Sequence, residues 1–299
     1  MKRIIFFLGK GGVGKTTSSA ALSFYLSKNK NKTYWVSIDP AHNLSDIVHV
    51  DLKKKTQIDE FLFAEEVDVE GYLKDFLHKT TQRMKEMYKY LQIVNLENMF
   101  DLLKHSPGME EYALMYAIKE KIEENQDFEY IVVDTPPTGL MLKILSLPFS
   151  SKMWIEKLIR WRKRIISHRS AIANINPKKI DESLAITEED DKVLKELGYQ
   201  SEYVTFLVNL LSDKSKCKMV VVLNEDAMSL SESLKIKSGL SDLGLGLDFV
   251  ILNKEGLGAI SNNIERIFDL PIIRMPYLKN AMDASTLANM GQRLAKIVQ

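Results

Sequence analysis

Residues 9 to 17 read GKGGVGKTT and follow directly on the apolar run Ile4, Ile5, Phe6, Phe7, Leu8. A short apolar run emptying into glycines predicts a buried strand, a phosphate-binding loop and the first turn of a helix, the opening of a nucleotide-binding α/β domain. Gly11, Gly12 and Gly14 let backbone N–H groups close around phosphate oxygens, Lys15 supplies positive charge, and Thr16 offers a hydroxyl to Mg2+. The whole run, Gly9, Lys10, Gly11, Gly12, Val13, Gly14, Lys15, Thr16 and Thr17, is the expected nucleotide-binding segment. Gly9, Gly11 and Gly14 also spell G-x-G-x-x-G, and Asp39 lies where a dinucleotide fold places its ribose-binding acid. Lys15 and Thr16 decide for a nucleoside triphosphate, since a dinucleotide site has no use for that lysine and metal-binding hydroxyl at the helix start.

Short Val/Ile-rich runs recur along the chain at 3–8, 33–38, 129–133, 218–223, 247–252 and 271–275, separated by longer helical patterns. Continuous apolar runs of this length suit strands covered on both faces, and their alternation with helices predicts a doubly wound, mostly parallel sheet with ligands at the strands' carboxyl ends. The phosphate loop, Asp39 and Asp134 all fall at such ends. Two stretches stand outside that alternation: 70–125, which carries Met84, Met87, Met99, Met109 and Met115, and 148–212, with a loop around Asn174-Ile-Asn-Pro177. Both read as helical insertions into a single domain spanning 1–299. Within the second, Trp154, Leu158, Trp161 and Ile165 form one stripe flanked by Ile155, Ile159 and Ile166, with Lys157, Arg160, Lys163 and Arg164 between them. The ordinary expectation is a surface helix packing this stripe on the core; a membrane or client surface is the alternative.

Composition narrows the function classes. Lys plus Arg number 41 against 40 Asp plus Glu, a formal charge of +1, so no global field steers the chain to nucleic acid, and none is expected as a partner. The start MKRIIFFL is a strand rather than an export signal, because its apolar run stops too early for one. No apolar stretch approaches the roughly eighteen residues of a membrane span. The single cysteine, Cys217, cannot make an internal disulfide, and a cytoplasmic location is the expectation. One thiol per chain also falls short of a four-thiolate zinc or iron–sulfur bridge between two chains, and of a three-thiolate metalloid site. Cys217 reads as a small buried residue opening the strand KMVVVLN. His42, His49, His78, His105 and His168 show no ligand spacing.

Two further segments sharpen the site: SIDPAHNLSD at 37–46 and VVDTPPTGLMLKILSLP at 132–148, each following a predicted strand. Phosphoryl transfer needs an oriented water and a metal near the β- and γ-phosphates, and Asp39 and Asp134 are placed to serve those needs. Together GKGGVGKTT, DPAHNLSD and DTPPTG resemble the arsenite-pump ATPase family and its relative, the ATPase that targets tail-anchored membrane proteins. HSPGMEEYALMYAI at 105–118, NEDAMSLSES at 224–233 and the terminal PIIRMPYLKNAMDASTLANM resemble segments of that family in the same order.

The resemblance implies ATP and Mg2+ as cofactors. It implies that Lys15 holds the β- and γ-phosphates, Thr16 binds Mg2+, Asp134 lies near that ion through water, and Asp39 positions or activates the attacking water. Lys10 would reach across a homodimer to the partner's nucleotide, so Asp39, Lys10 and Lys15 are the expected catalytic set. Asn253 and Pro276 resemble the adenine-contacting positions. The resemblance further implies a nucleotide-gated homodimer that binds and releases a partner, a hydrophobic membrane-protein segment foremost or a membrane receptor. The energising subunit of an anion pump, and a positioning ATPase of the cell-division or partition type, are the alternatives. Pro136, Leu140 and Lys143 depart from the alanine, histidine and arginine usual in the family, all within the segment expected to respond to nucleotide state.

Overall fold

The computed structural model describes residues 3–40, 44–87, 106, 108–176, 184–257, 264–277 and 283–299, without the side chains of 84–87. Its centre is an eight-stranded sheet in the order β3-β4-β2-β5-β1-β6-β7-β8. The strands are β1 (Arg3–Leu8), β2 (Thr33–Ser37), β3 (Thr56–Gln57), β4 (Leu62–Glu66), β5 (Tyr130–Asp134), β6 (Cys217–Asn224), β7 (Phe249–Glu255) and β8 (Ile272–Pro276). Every neighbouring pair is parallel except β3 with β4. The six predicted runs are all strands, with ends displaced by up to a few residues.

The pleat explains why β1 is apolar from Ile4 onward. Ile4, Phe6 and Leu8 enter one core and Ile5 and Phe7 the other, each at or near zero exposure, so only Arg3 at the start of the strand reaches water. Ile5 and Phe7 face α1 (Lys15–Lys28) together with α9 (Ala284–Gly291) and a 3-10 turn, Gln292–Ile297. The crossing of α1 and α9 is close: a Cβ on Gly291 would stand 2.0 Å from the Ala21 carbonyl oxygen, so no side chain fits there. Ile4, Phe6 and Leu8 face α4 (Met109–Glu124), α5 (Thr138–Ile175), α6 (Lys192–Ser212) and α7 (Ala227–Asp242). Shorter α2 (Leu44–Val48) and α8 (Ile264–Phe268), and the longer α3 (Val69–Met87), complete the described helices.

In the two helical stretches, α3 and α4 lie between β4 and β5, and α5 and α6 between β5 and β6. The second begins earlier than its periodicity suggests: α5 is one helix of 38 residues that starts at Thr138 and runs through Pro148. Met99 and Pro177 fall outside the described residues, as do the side chains of Met84 and Met87. Arg162 of α5 grips Asp191 with both carboxylate oxygens at 2.7–3.1 Å, while Asp191 also accepts from the Leu194 N–H as the N-cap of α6.

Two strands, β3 and β4, were not expected. LFAEE at 62–66 ends in adjacent carboxylates that suggest a solvated turn, yet Glu65 and Glu66 are both buried. Each is satisfied by distant partners: Glu65 by the Tyr34 hydroxyl and the Lys121 ammonium, both at 2.7 Å, and Glu66 by the Leu44 and Ser45 N–H groups and the Ser45 hydroxyl at 2.7–3.0 Å. The tryptophan stripe of α5 also departs from the ordinary expectation. Ile166 is buried and Ile155 packs on the core, but Trp154 and Trp161 are each 56% exposed, with Leu158 at 39% and Ile165 at 43%. Cys217 opens β6 as a buried free thiol, and burial pushes its pKa far above the usual thiol range. No described helix is long and apolar enough to cross a membrane.

Candidate functional site

Strand register builds the site. Asp134 stands level with both Phe7 of β1 and Ser37 of β2, so the three loops that follow these strands open on one rim of the sheet. The first carries Gly9 to Gly14, the second Asp39, and the third Thr135 to Pro137. The Thr135 hydroxyl donates to the Phe7 carbonyl at 2.6 Å and fastens the third loop to the root of the first. A cavity of about 540 Å3 lies over this rim.

The phosphate loop turns into α1 at Gly14, which caps the helix in a left-handed conformation with φ 95°. A Cβ there would also meet the Asn253 amide nitrogen at 2.2 Å, so glycine is required by both backbone and neighbour. That same Asn253 nitrogen donates to the Val13 carbonyl at 2.8 Å, tying the end of the loop to β7. Lys15 is buried, and its ammonium donates to the Lys10 carbonyl at 3.3 Å across the loop. Burial pulls the Lys15 pKa down, while the charges of Asp134 and Asp39 push it back up.

Beneath Lys15, the Thr16 hydroxyl donates to Asp134 Oδ2 at 2.7 Å. Asp134 is fully buried, and burial raises its pKa to about 7; the Thr16 hydrogen bond and Lys15 oppose the rise, and Asp39 adds to it. Its other oxygen, Oδ1, is buried with no hydrogen-bond partner. An orphaned buried carboxylate oxygen beside a threonine hydroxyl is the donor chemistry that a hard divalent cation such as Mg2+ takes up, so these residues fit that ion. Asp39 is buried at the cavity wall, its own N–H donating to the Ser37 hydroxyl at 3.2 Å. Among the described residues no group of three or more His, Cys, Asp or Glu side chains gathers as a separate metal site.

Of the residues expected from sequence, Gly11, Gly12, Gly14, Lys15, Thr16, Thr17, Asp39, Asn253 and Pro276 all line the cavity. Gly9 and Val13 form its support, Val13 being buried in the core behind the loop. Lys10 is turned away, its ammonium against the Met228 sulfur at the start of α7. Asp46, Ile47, Pro137, Lys254, Tyr277 and Met290 also line the cavity and were not singled out by sequence reasoning. Asp46, Pro137, Tyr277 and Met290 all sit inside the segments that carry the family resemblance, and Ile47 and Lys254 directly follow Asp46 and Asn253, which was the available signal.

Comparison with known proteins gives the family. The sequence pattern of the anion-transporting ATPase family matches residues 2–284. The putative arsenical pump-driving ATPase 2 of Aquifex aeolicus is 28% identical over 253 residues, 84% of this chain and 80% of that protein. The putative arsenical pump-driving ATPase of Prosthecochloris vibrioformis is 30% identical over 253 residues, 84% of this chain, which spans only 61% of that longer relative. The ATPase get3 of Aspergillus terreus is 28% identical over 297 residues, 92% of this chain and 85% of that protein. A phosphate loop and two strand-end carboxylates on one rim, within a match of this extent, make the chain an ATPase belonging to the anion-transporting ATPase family.

Proposed function

We propose that the protein is a homodimeric, Mg2+-dependent ATPase whose nucleotide state governs binding and release of a hydrophobic membrane-protein segment. The observation that carries the ATPase half is the Thr16–Asp134 pair with its orphaned oxygen under the phosphate loop. Thr16 and Asp134 would hold the ion, Asp134 through water, and the bound ion neutralises charge on the β- and γ-phosphates. Lys15 holds those phosphates. Asp39 orients the attacking water, which displaces ADP to leave inorganic phosphate. Asn253 and Pro276 contact the adenine. Lys10, which bonds to no phosphate-loop group through its ammonium in the single chain, acts on the nucleotide of the second chain. That arrangement gives the dimer its dependence on ATP.

The client is held on the helical insertions, on faces of α3, α4 and α6, a reading that extends the resemblance to the ATPase that targets tail-anchored membrane proteins. Crosslinkers placed on the insertions, presented with an apolar peptide of about twenty residues, test it. Capture that differs between ATP and ADP is expected; equal capture with ATP, ADP and no nucleotide would sink the coupling. The anion-pump reading draws on the description of the family itself and on the relatives named arsenical pump-driving. A lone buried Cys217 gives arsenite no three-thiolate site within the chain. Stimulation of hydrolysis by an oxyanion rather than by the apolar peptide would favour it.

A further inference from the structure

We propose that the exposed face of α5 docks the protein on the anionic headgroup region of a phospholipid bilayer. This goes beyond the ATPase reading, because it needs neither nucleotide nor a second chain. The starting observation is the stripe of Trp154, Leu158, Trp161 and Ile165, solvent-facing over three turns of helix. Single exposed apolar side chains are ordinary, but a continuous row containing both exposed tryptophans of the molecule is a surface waiting for an occupant.

The charges beside the stripe identify that occupant. Lys157, Arg160 and Arg164 lie at the helical positions next to it on the solvent side, and none pairs with a carboxylate among the described residues. The Lys157 ammonium instead sits 5.5 Å from the centre of the Trp154 ring. On the far flank the cations are already used: Arg162 holds Asp191, and Lys163 holds Glu188 at 2.6 Å. From 152 to 169 the only acid is Glu156, in a protein whose formal charge is just +1, so positive charge is concentrated on this helix.

An apolar client helix would fill the stripe and leave three cations uncompensated. Nucleic acid would satisfy the cations and leave Leu158 and Ile165 in water. The interface of an anionic bilayer satisfies both, because indole rings settle at headgroup depth while lysine and arginine meet lipid phosphates.

The experiment uses the protein's own fluorescence. Of the three tryptophans, Trp35 is fully buried, so a change on adding vesicles reports Trp154 and Trp161. The full chain is titrated with vesicles of phosphatidylglycerol and phosphatidylcholine, and with phosphatidylcholine alone. Expected are a blue shift and at least tenfold more co-sedimentation with the anionic vesicles, weakened by salt. The triple variant Lys157→Glu, Arg160→Glu, Arg164→Glu should lose binding while keeping its circular dichroism and ATP binding. Trp154→Ser with Trp161→Ser should lose it too, leaving only the unshifted Trp35 signal. Equal binding to neutral vesicles, no binding to either, or full binding by the charge-reversed variant overturns the proposal. So does a blue shift produced only by an apolar helical peptide, which would make the face a client groove. A shift produced by protein concentration alone would make it a contact between copies of this chain.

Discussion

The Thr16 hydroxyl and the Asp134 carboxylate, from opposite ends of the first half of the chain, share a hydrogen bond of 2.7 Å that ties the first turn of α1 to the last residue of β5. It leaves one carboxylate oxygen buried and unpartnered, and holds the other on a donor that a cation can replace. The residue is therefore costly to ionise without a counter-charge.

That cost sets a pH dependence. In the folded protein Asp134 titrates near 7 against an ordinary 3.8, so between those values the folded state holds a proton that the unfolded chain has released. The stability contributed by this group is therefore full below pH ~4 and is lost as pH rises toward 7, by on the order of a few kcal/mol. Asp134→Asn should flatten that part of the profile. Urea unfolding of metal-free protein at pH 4.5 and 7.5 checks it; identical slopes in parent and variant would show that Asp134 ionises freely.

Asp39→Asn should bind ATP as the parent does but turn over at least ~100-fold more slowly, the usual scale for losing a base or water-orienting group. The phosphate contacts come from Lys15 and the loop, which the substitution leaves alone. Turnover at saturating ATP, measured beside nucleotide affinity, separates the two; a variant within a few-fold of the parent removes Asp39 from water handling.

Lys10→Ala should keep nucleotide affinity within its own chain and lose hydrolysis by roughly a thousandfold, on the scale of an arginine finger. Lys15→Ala should weaken binding as well, because its ammonium lies inside the loop. Mixed dimers of the two inactive variants place both substitutions on one of the two sites and leave the other intact. Recovered activity in the mixture is the expected result, and a mixture as inactive as its parts argues against sharing between chains.

Asp191→Ala should destabilise the protein by about 3 kcal/mol, since it removes an N-cap and leaves the Arg162 guanidinium without its buried partner. Arg162 and the Leu194 N–H hold the Asp191 carboxyl below its ordinary range despite burial, so its contribution is complete above about pH 4 and fades as pH falls through the lowered value. A urea midpoint at pH 7 measures the loss; a shift under half a kcal/mol would mean water replaces both contacts.

Much of this site was legible because its residues act locally. A strand, a glycine loop and a helix start are contiguous, and Asp39 and Asp134 each follow an apolar run that can only be a covered strand. What sequence hid was long-range compensation. Glu65 and Glu66 look like solvated charges until Tyr34, Lys121 and Ser45 are brought beside them, and β4 is invisible without those partners. The α5 stripe failed differently. Period 3.6 marks which side chains share a face, but not whether that face meets the core, and here Ile155 and Ile166 take the core while Trp154 and Trp161 do not.

The close crossing of α1 by α9 has a consequence in time. Leu287, Met290, Leu294 and Ile297 fill the core against Ala20, Ala21 and Phe24, with Gly291 at the contact itself. The helix that carries Lys15 and Thr16 is made before the segment that backs it, with most of the domain lying between the two. At 5–20 residues per second the interval is on the order of tens of seconds. During synthesis the helix behind the phosphate loop therefore waits, with one side uncovered, until residues 284–297 arrive.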